Sequence, residues 1–187
     1  MNILIVYATN SGSTYLVSRV IVEILTPYHT ITVKKVIDMK GNSLDSYDLV
    51  ILGSPSWEYN GDEGMPHQDM IEFMKDNINK KYSKTKFAVF GCGDSSYTNF
   101  CGAVLHLEEF VQKTGGKLVT DSLRIDGFFF DMDKSINLTK EWTKRLNDKI
   151  NGLNYTLLKN DDDEQKNALL VRLQQLSNIP LSERLIN

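Results

Sequence analysis

The chain has 187 residues, of which 41% are hydrophobic and 24% charged, the make-up of an ordinary globular domain with a sizeable core. Lys and Arg number 21 against 24 Asp and Glu, for a net charge of -3 and a pI near 5.6. That balance argues against a protein that binds nucleic acid by neutralising phosphates. No apolar run approaches the roughly 20 residues needed to span a bilayer. The opening MNILIVYA lacks the basic region and cleavage site of an export signal, so the expected location is the cytoplasm.

In chain order, residues 3–8 (ILIVYA) form a near-continuous apolar run, and Leu16, Val17, Val20, Ile21 and Ile24 then repeat with helical spacing. Residues 31–37 (ITVKKVI) are a weaker, more polar strand, and 48–54 (DLVILGS) a second fully apolar one. Ile71, Met74 and Ile78 mark the next helix, 86–91 (KFAVFG) a third buried strand, and Val104, Leu107 and Val111 a further helix. An outer strand over 117–125 (KLVTDSLRI) and a helix marked by Leu138, Trp142, Leu146 and Ile150 complete the pattern. Unbroken apolar runs are what strands buried on both faces require, and the i, i+3, i+4, i+7 spacing gives each helix one buried face. Five strands alternating with helices imply an α/β fold, a doubly wound parallel sheet with helices on both faces. That domain spans residues 1–151. The remainder, 152–187, reads as an appended acidic linker and a short helix at Leu169, Leu170, Leu173 and Leu176, stopped before Pro180. Such a helix has three uses open to it: docking on the domain, pairing two subunits, or gripping a partner.

Ligands of doubly wound sheets bind beyond the carboxyl ends of the strands, so the loops beginning at residues 9, 55 and 92 carry the interest. The first, Thr9, Asn10, Ser11, Gly12, Ser13 and Thr14, offers hydroxyls and the N–H groups that open a helix. These suit a single phosphate held by hydrogen bonds alone. With no lysine it is not a triphosphate loop, and without GxGxxG it is not a dinucleotide one. A plain helix cap by Ser13 or Thr14 is the alternative. The second loop, 54–68 (SPSWEYNGDEGMPHQ), carries Pro55, Ser56, Trp57 and Tyr59, with Gly61 free to adopt conformations closed to other residues and Asp62 and Glu63 beside it. The third, 91–103 (GCGDSSYTNFCGA), holds Cys92, Gly93, Asp94, Tyr97, Asn99, Phe100 and Cys101. Asp94 and Asp126 add acidity there, with Asp121, Asp131 and Asp133 nearby in sequence. Cys92 and Cys101 read as free thiols, since no CxxC and only three scattered histidines are present for a metal. A phosphate cradle and two aromatic loops on one edge describe a phosphorylated, flat, aromatic ligand, for which flavin mononucleotide (FMN) is the candidate.

On these residues the chain resembles the flavodoxins, specifically the short-chain type. Residues 9–14 (TNSGST) are similar to the family's phosphate loop, and 90–104 (FGCGDSSYTNFCGAV) to the 90s loop of Desulfovibrio-type members. LRIDG at 123–127 follows as it does there, without the insertion of long-chain members, and the likeness runs over residues 1 to about 150. The resemblance implies strand order 2-1-3-4-5 and a low-potential one-electron carrier that binds FMN non-covalently. It implies cycling between semiquinone and hydroquinone, with electrons passed between a reductase and acceptor proteins. It further implies phosphate binding by Thr9 through Thr14, and flavin faces covered by Trp57 and Tyr97. The backbone of Cys92, Gly93 and Asp94 would line the pyrimidine edge, with Asn99, Phe100 and Cys101 nearby. The second loop departs from the family, because Glu58, Tyr59 and Asn60 separate Trp57 from Gly61. Either Gly61 or Glu58 is then the peptide that faces flavin N5.

No catalytic base or nucleophile stands out, His67 reading as an N-terminal helix residue, so a carrier is expected and not an enzyme. The rival of another class is an FMN-dependent NAD(P)H or quinone reductase of the same fold. It needs basic residues to meet the nucleotide, and the loops are mostly acidic. A monomer is expected, with a dimer through the C-terminal helix as the alternative, and neither nucleic acid nor membrane as partner.

Overall fold

The computed structural model describes residues 1–152 except 40 and 42. The helix expected around Leu169–Leu176 lies outside the described residues. Strands β1 (Asn2–Tyr7), β2 (Thr30–Lys35), β3 (Leu49–Tyr59), β4 (Asp62–Pro66), β5 (Lys86–Gly93), β6 (Lys117–Leu118) and β7 (Leu123–Asp126) alternate with four α-helices. These are α1 (Ser13–Leu25), α2 (Gln68–Asn77), α3 (Gly102–Lys113) and α4 (Met132–Ile150), with a 3-10 turn at Val36–Met39. The parallel strands are ordered β2-β1-β3-β5-β6, and β7 also pairs with β5. Counting β6 and β7 as one interrupted strand gives the expected 2-1-3-4-5 order. Residues Met1–Leu146 form one compact unit, and all the site residues described below belong to it.

Side chains alternate across a strand, so each central strand feeds two cores. Leu4, Val6, Val50, Leu52, Phe87 and Val89 face one way and pack with Met70 and Phe73 of α2 and Val104, Leu107 and Phe110 of α3. Ile3, Ile5, Leu49, Ile51 and Ala88 point the other way and are equally buried, and α1 packs against β1, β3 and β5 with Val17, Ile21 and Leu25 inside.

Three expectations are corrected. The stretch 54–68 is a hairpin, not a loop: β3 continues to Tyr59 and β4 returns antiparallel beside it. Asn60 and Gly61 form its two-residue turn with φ of 54° and 85°, the left-handed pair that a type I′ hairpin turn requires. The outer strand breaks between Leu118 and Leu123. On α4 the assumed stripe position Leu138 is exposed, while Ser135, Thr139 and Thr143 are buried beside Trp142 and Leu146. The burial of the two threonines is tolerable because the Thr139 and Thr143 hydroxyls donate to the carbonyls of Ser135 and Thr139, at 2.8 and 2.7 Å.

Candidate functional site

The carboxyl ends of β1, β3, β5 and β7 surround a cleft of about 760 Å³. Its floor begins at the turn after β1. The Thr9 hydroxyl accepts the Gly12 N–H at 3.1 Å, and Gly12, with φ 97°, precedes α1 as its cap without a side-chain capping bond. The first-turn N–H groups of α1 therefore have no cap from a side chain, and no acidic residue stands in that turn. Asn10, Ser11 and Ser13 line the cleft, whereas Thr14 lies behind them, fully buried. The Thr14 hydroxyl is sealed from solvent and lacks a hydrogen-bond partner of its own. Its polar neighbour is the Cys92 sulfur, a weak partner.

One wall is the hairpin, on which Pro55, Ser56, Trp57, Glu58 and Gly61 line the cleft together with Glu63 and Gly64. The register shifts between Trp57 and Tyr59, where the single residue Glu58 of β3 faces two residues of β4, Glu63 and Gly64. Trp57 is 56% exposed at the cleft. The Ser56 hydroxyl accepts the Ala103 N–H at 3.1 Å, at the start of α3.

The facing wall is the turn after β5. Asp94 accepts the Ser96 N–H at 2.8 Å, and the Ser96 hydrogen bonds hold its carboxyl below the usual range. Asp126 accepts from the Ser95 N–H at 2.8 Å and hydroxyl at 2.6 Å, which staples this turn to β7. Tyr97 is left 61% exposed at the cleft. The two walls are tied together: the Thr98 N–H donates to the Glu63 carboxylate at 3.1 Å and Asn99 Nδ2 to the Glu63 carbonyl at 3.2 Å. Gly64, at φ 80°, touches the same turn; a Cβ there would stand 2.6 Å from Asn99 Cβ and 2.8 Å from its carbonyl oxygen.

Cys92 and Cys101 are free and buried, as expected from the sequence. Burial pushes the Cys92 thiol up to about 11, only partly offset by the Ser13 and Thr14 side chains that face it. Burial, reinforced by Cys92, pushes Cys101 up to about 12. Cys101 precedes α3 in the left-handed region at φ 51°.

Of the residues singled out in the sequence, thirteen border the cleft, from Asn10, Ser11 and Ser13 through the β3 and β5 groups to Cys101. Thr9, Gly12 and Thr14 shape its floor without bordering it, and Phe100 packs on the α2–α3 core instead. His67 caps α2, its Nδ1 accepting the Asp69 N–H at 3.2 Å. Asp131 likewise accepts the Lys134 N–H at 3.0 Å at the start of α4, and the Asp121 carbonyl accepts from Trp142 Nε1 at 2.7 Å. Gly64 of the second loop borders the cleft as well, and one feature went unread: the aromatic run Gly127, Phe128, Phe129, Phe130 after β7, which also borders it. Three aromatics in succession at a strand's carboxyl end were the available signal. Among the described residues that border the cleft, Glu58, Glu63 and Asp94 are the charged groups and none is basic. No helix among the described residues is long and apolar enough to cross a membrane, and no group of three His, Cys, Asp or Glu could hold a metal ion.

Sheet order, crossover helices and a cleft at the carboxyl edge define the flavodoxin-like class of α/β proteins. The family described as Flavodoxin matches residues 5–169, and the chain belongs to the flavodoxin family. It is 35% identical over 150 residues to a flavodoxin of Maridesulfovibrio salexigens, covering 79% of this chain and 97% of that protein. Among solved structures, oxidised flavodoxin 2 from Bacillus cereus superposes with a TM-score of 0.72 at 31% identity, over 80% of this chain and 99% of that one. The flavodoxin of Fusobacterium nucleatum bound to flavin mononucleotide shares the fold, with a TM-score of 0.69 at 17% identity over 79% of this chain and 98% of that one.

Proposed function

We propose that the cleft binds FMN non-covalently and that the protein is a cytoplasmic one-electron carrier between redox partner proteins. The observation that carries this reading is the Thr14 hydroxyl, fully buried beneath the β1 turn and short of a hydrogen-bond partner. Leaving a buried hydroxyl unpaired costs about 1–3 kcal/mol, so its retention calls for a ligand that pairs it. A terminal phosphate supplies acceptors for Thr14, for the Ser11 and Ser13 hydroxyls, and for the uncapped N–H groups of α1. None of the described residues that border the cleft is basic, which suits a monoester held by dipoles and hydrogen bonds.

Trp57 and Tyr97, both more than half exposed on opposite walls, offer ring faces to a planar group between them. The backbone of Cys92, Gly93 and Asp94 lines the end of β5, where its polar atoms meet the ring edge. Asn99 and Cys101 stand beside it. Of the two peptides left open for flavin N5, the one at Glu58 is the better placed, because it falls where the β3–β4 register shifts while Gly61 is committed to the hairpin turn. FMN, when bound, supplies the capacity to take and release single electrons. Glu58, Glu63 and Asp94 make added negative charge in the cleft unfavourable, which keeps the potential low. The two cysteines, held protonated by burial, serve as packing and take no redox part.

The test is to titrate the cofactor-free chain and its Thr14→Val variant with FMN, then to reduce the complex stepwise without oxygen. The parent should bind FMN and take up two electrons in separate steps; the variant should bind about tenfold or more weakly, as loss of a hydrogen bond to a charged group predicts. Failure of the parent to bind FMN would overturn the reading. Two-electron reduction in one step, with NADPH consumed rapidly, would favour the reductase.

A further inference from the structure

Phe128, Phe129 and Phe130 follow directly on β7, and the fold treats them differently. Phe128 is buried and anchors the turn, its ring meeting that of Phe129 edge-on at 5.2 Å between centroids. The Gly127 N–H donates to the Gly93 carbonyl at 2.8 Å and the Phe130 N–H to the Gly127 carbonyl at 2.7 Å. The turn is thereby fixed to the strand end that carries Cys92 and Gly93. Phe129 is left 51% and Phe130 86% exposed at the rim of the cleft, beside the half-exposed Met132. One edge of the Phe130 ring lies near Gly127, where a Cβ would stand 2.4 Å from its Cδ2, and the rest of the ring faces solvent.

Adjacent exposed aromatics of this size mark an interaction surface more often than they occur by chance. Their surroundings are acidic. Asp126, Asp131 and Asp133 flank the run and are exposed, with Glu58, Glu63 and Asp94 bordering the same cleft. The carboxylates of Asp126 and Asp131 are held in place by Ser95 and the Lys134 N–H. An apolar centre within a charged and mainly acidic rim, in which Lys134 beyond Asp133 is the basic exception, is the anatomy of a protein interface. A second copy of this chain would bring the same negative rim, and anionic lipid is disfavoured for the same reason. The complement is a protein surface with an apolar centre ringed by Lys and Arg.

We propose that Phe129 and Phe130 are the apolar anchor on which a basic-rimmed redox protein docks, next to the cleft from which the electron leaves. The proposal rests on the carrier reading. In the transfer one electron leaves the reduced cofactor and one partner centre gains it; with a haem acceptor, one ferric iron becomes ferrous and no covalent bond changes.

Ferricytochrome c, a basic haem protein, serves as the probe, with the FMN-loaded full chain and its Phe129→Ser, Phe130→Ser and doubly substituted variants. FMN affinity is measured first, then cytochrome affinity by calorimetry with the oxidised carrier, then the rate of haem reduction after anaerobic mixing. For the double variant we expect cytochrome affinity and the second-order rate to fall about tenfold, as removal of interface anchors does. The rate with a small uncharged quinone, taken per FMN bound, should stay unchanged, and Phe130→Leu should restore most of the cytochrome affinity. Unchanged cytochrome affinity and rate would overturn the proposal. So would a matching loss of FMN affinity, which would make the two rings part of the cofactor's wall. A parent chain that takes up no FMN is seen in the first titration, before cytochrome is added, and removes the carrier reading together with this one.

Discussion

Cys92 and Cys101 illustrate how burial decides what a side chain can do. A thiol reacts as its thiolate, and burial disfavours that charged form, lifting Cys92 from 9.0 to about 11 and Cys101 to about 12. At mildly alkaline pH the thiolate population of Cys92 is then ~100-fold below that of an ordinary cysteine, since two pH units separate the values. The folded protein should resist iodoacetamide accordingly, and urea-unfolded protein should react freely; equal rates would mean that the Cys92 cleft face admits solvent. The same shift acts on stability. A group whose folded value is raised contributes stability that is fully present below its unfolded value, 9.0 here, and lost as pH rises toward the folded value. Tyr7 and Tyr82, raised chiefly by burial, act with the same sign from their ordinary value of 10.0 upward. Urea unfolding followed across the alkaline range should therefore show stability falling above about pH 9, and a flat profile would contradict the burial of both thiols.

The element that most shapes the cleft is the β3–β4 hairpin, and it was the part least read from the sequence. Tyr59-Asn60-Gly61-Asp62 contains the Asn-Gly pair that most strongly signals a two-residue turn. The apolar run before it appeared to stop at residue 54, because Ser54, Pro55 and Ser56 lack the apolar side chains by which a buried strand is recognised. The β3 extension is instead held by β4 across the two-residue turn and, from far along the sequence, by Ala103 at the start of α3, a contact that no local pattern announces. Gly64 is the place where hairpin and α3 turn meet, with φ of 80° and Asn99 atoms within 2.8 Å of where a Cβ would stand. Gly64→Ala combines left-handed strain with a backbone clash, a loss of about 2–3 kcal/mol. Because the clash opens the two walls, FMN affinity should drop as well. Chemical denaturation and an FMN titration of the variant check both parts. A variant as stable as the parent would mean that the hairpin moves aside without cost.

For the molecule as a whole, the central strands were legible because burial on both faces leaves no room for polar residues, so β1, β3 and β5 read as unbroken apolar runs. The amphipathic stripe of α4 was less so: Ser135, Thr139 and Thr143 occupy buried positions that periodicity assigns to apolar residues, and the two threonine hydroxyls are satisfied by bonds to the helix's own backbone. The cleft was legible in its loops and not in its reach toward Phe128–Phe130, since nothing in a linear pattern says that the turn after β7 is tied to Gly93. One consequence concerns the chain after Gly152. Every described residue that borders the cleft lies between Asn10 and Phe130, and the compact unit that holds them ends at Leu146. The cofactor contacts proposed here all fall on described residues before position 131, although the family match continues to residue 169. A chain ending at Gly152 should fold cooperatively, bind FMN within about twofold of the full-length affinity, and sediment with the mass of one subunit. A full-length dimer that becomes a monomer on truncation, with FMN affinity kept, would assign the Leu169–Leu176 segment to subunit pairing. If truncation instead lowers FMN affinity about tenfold or more, the boundary near residue 151 is wrong and the segment contributes to the binding domain itself.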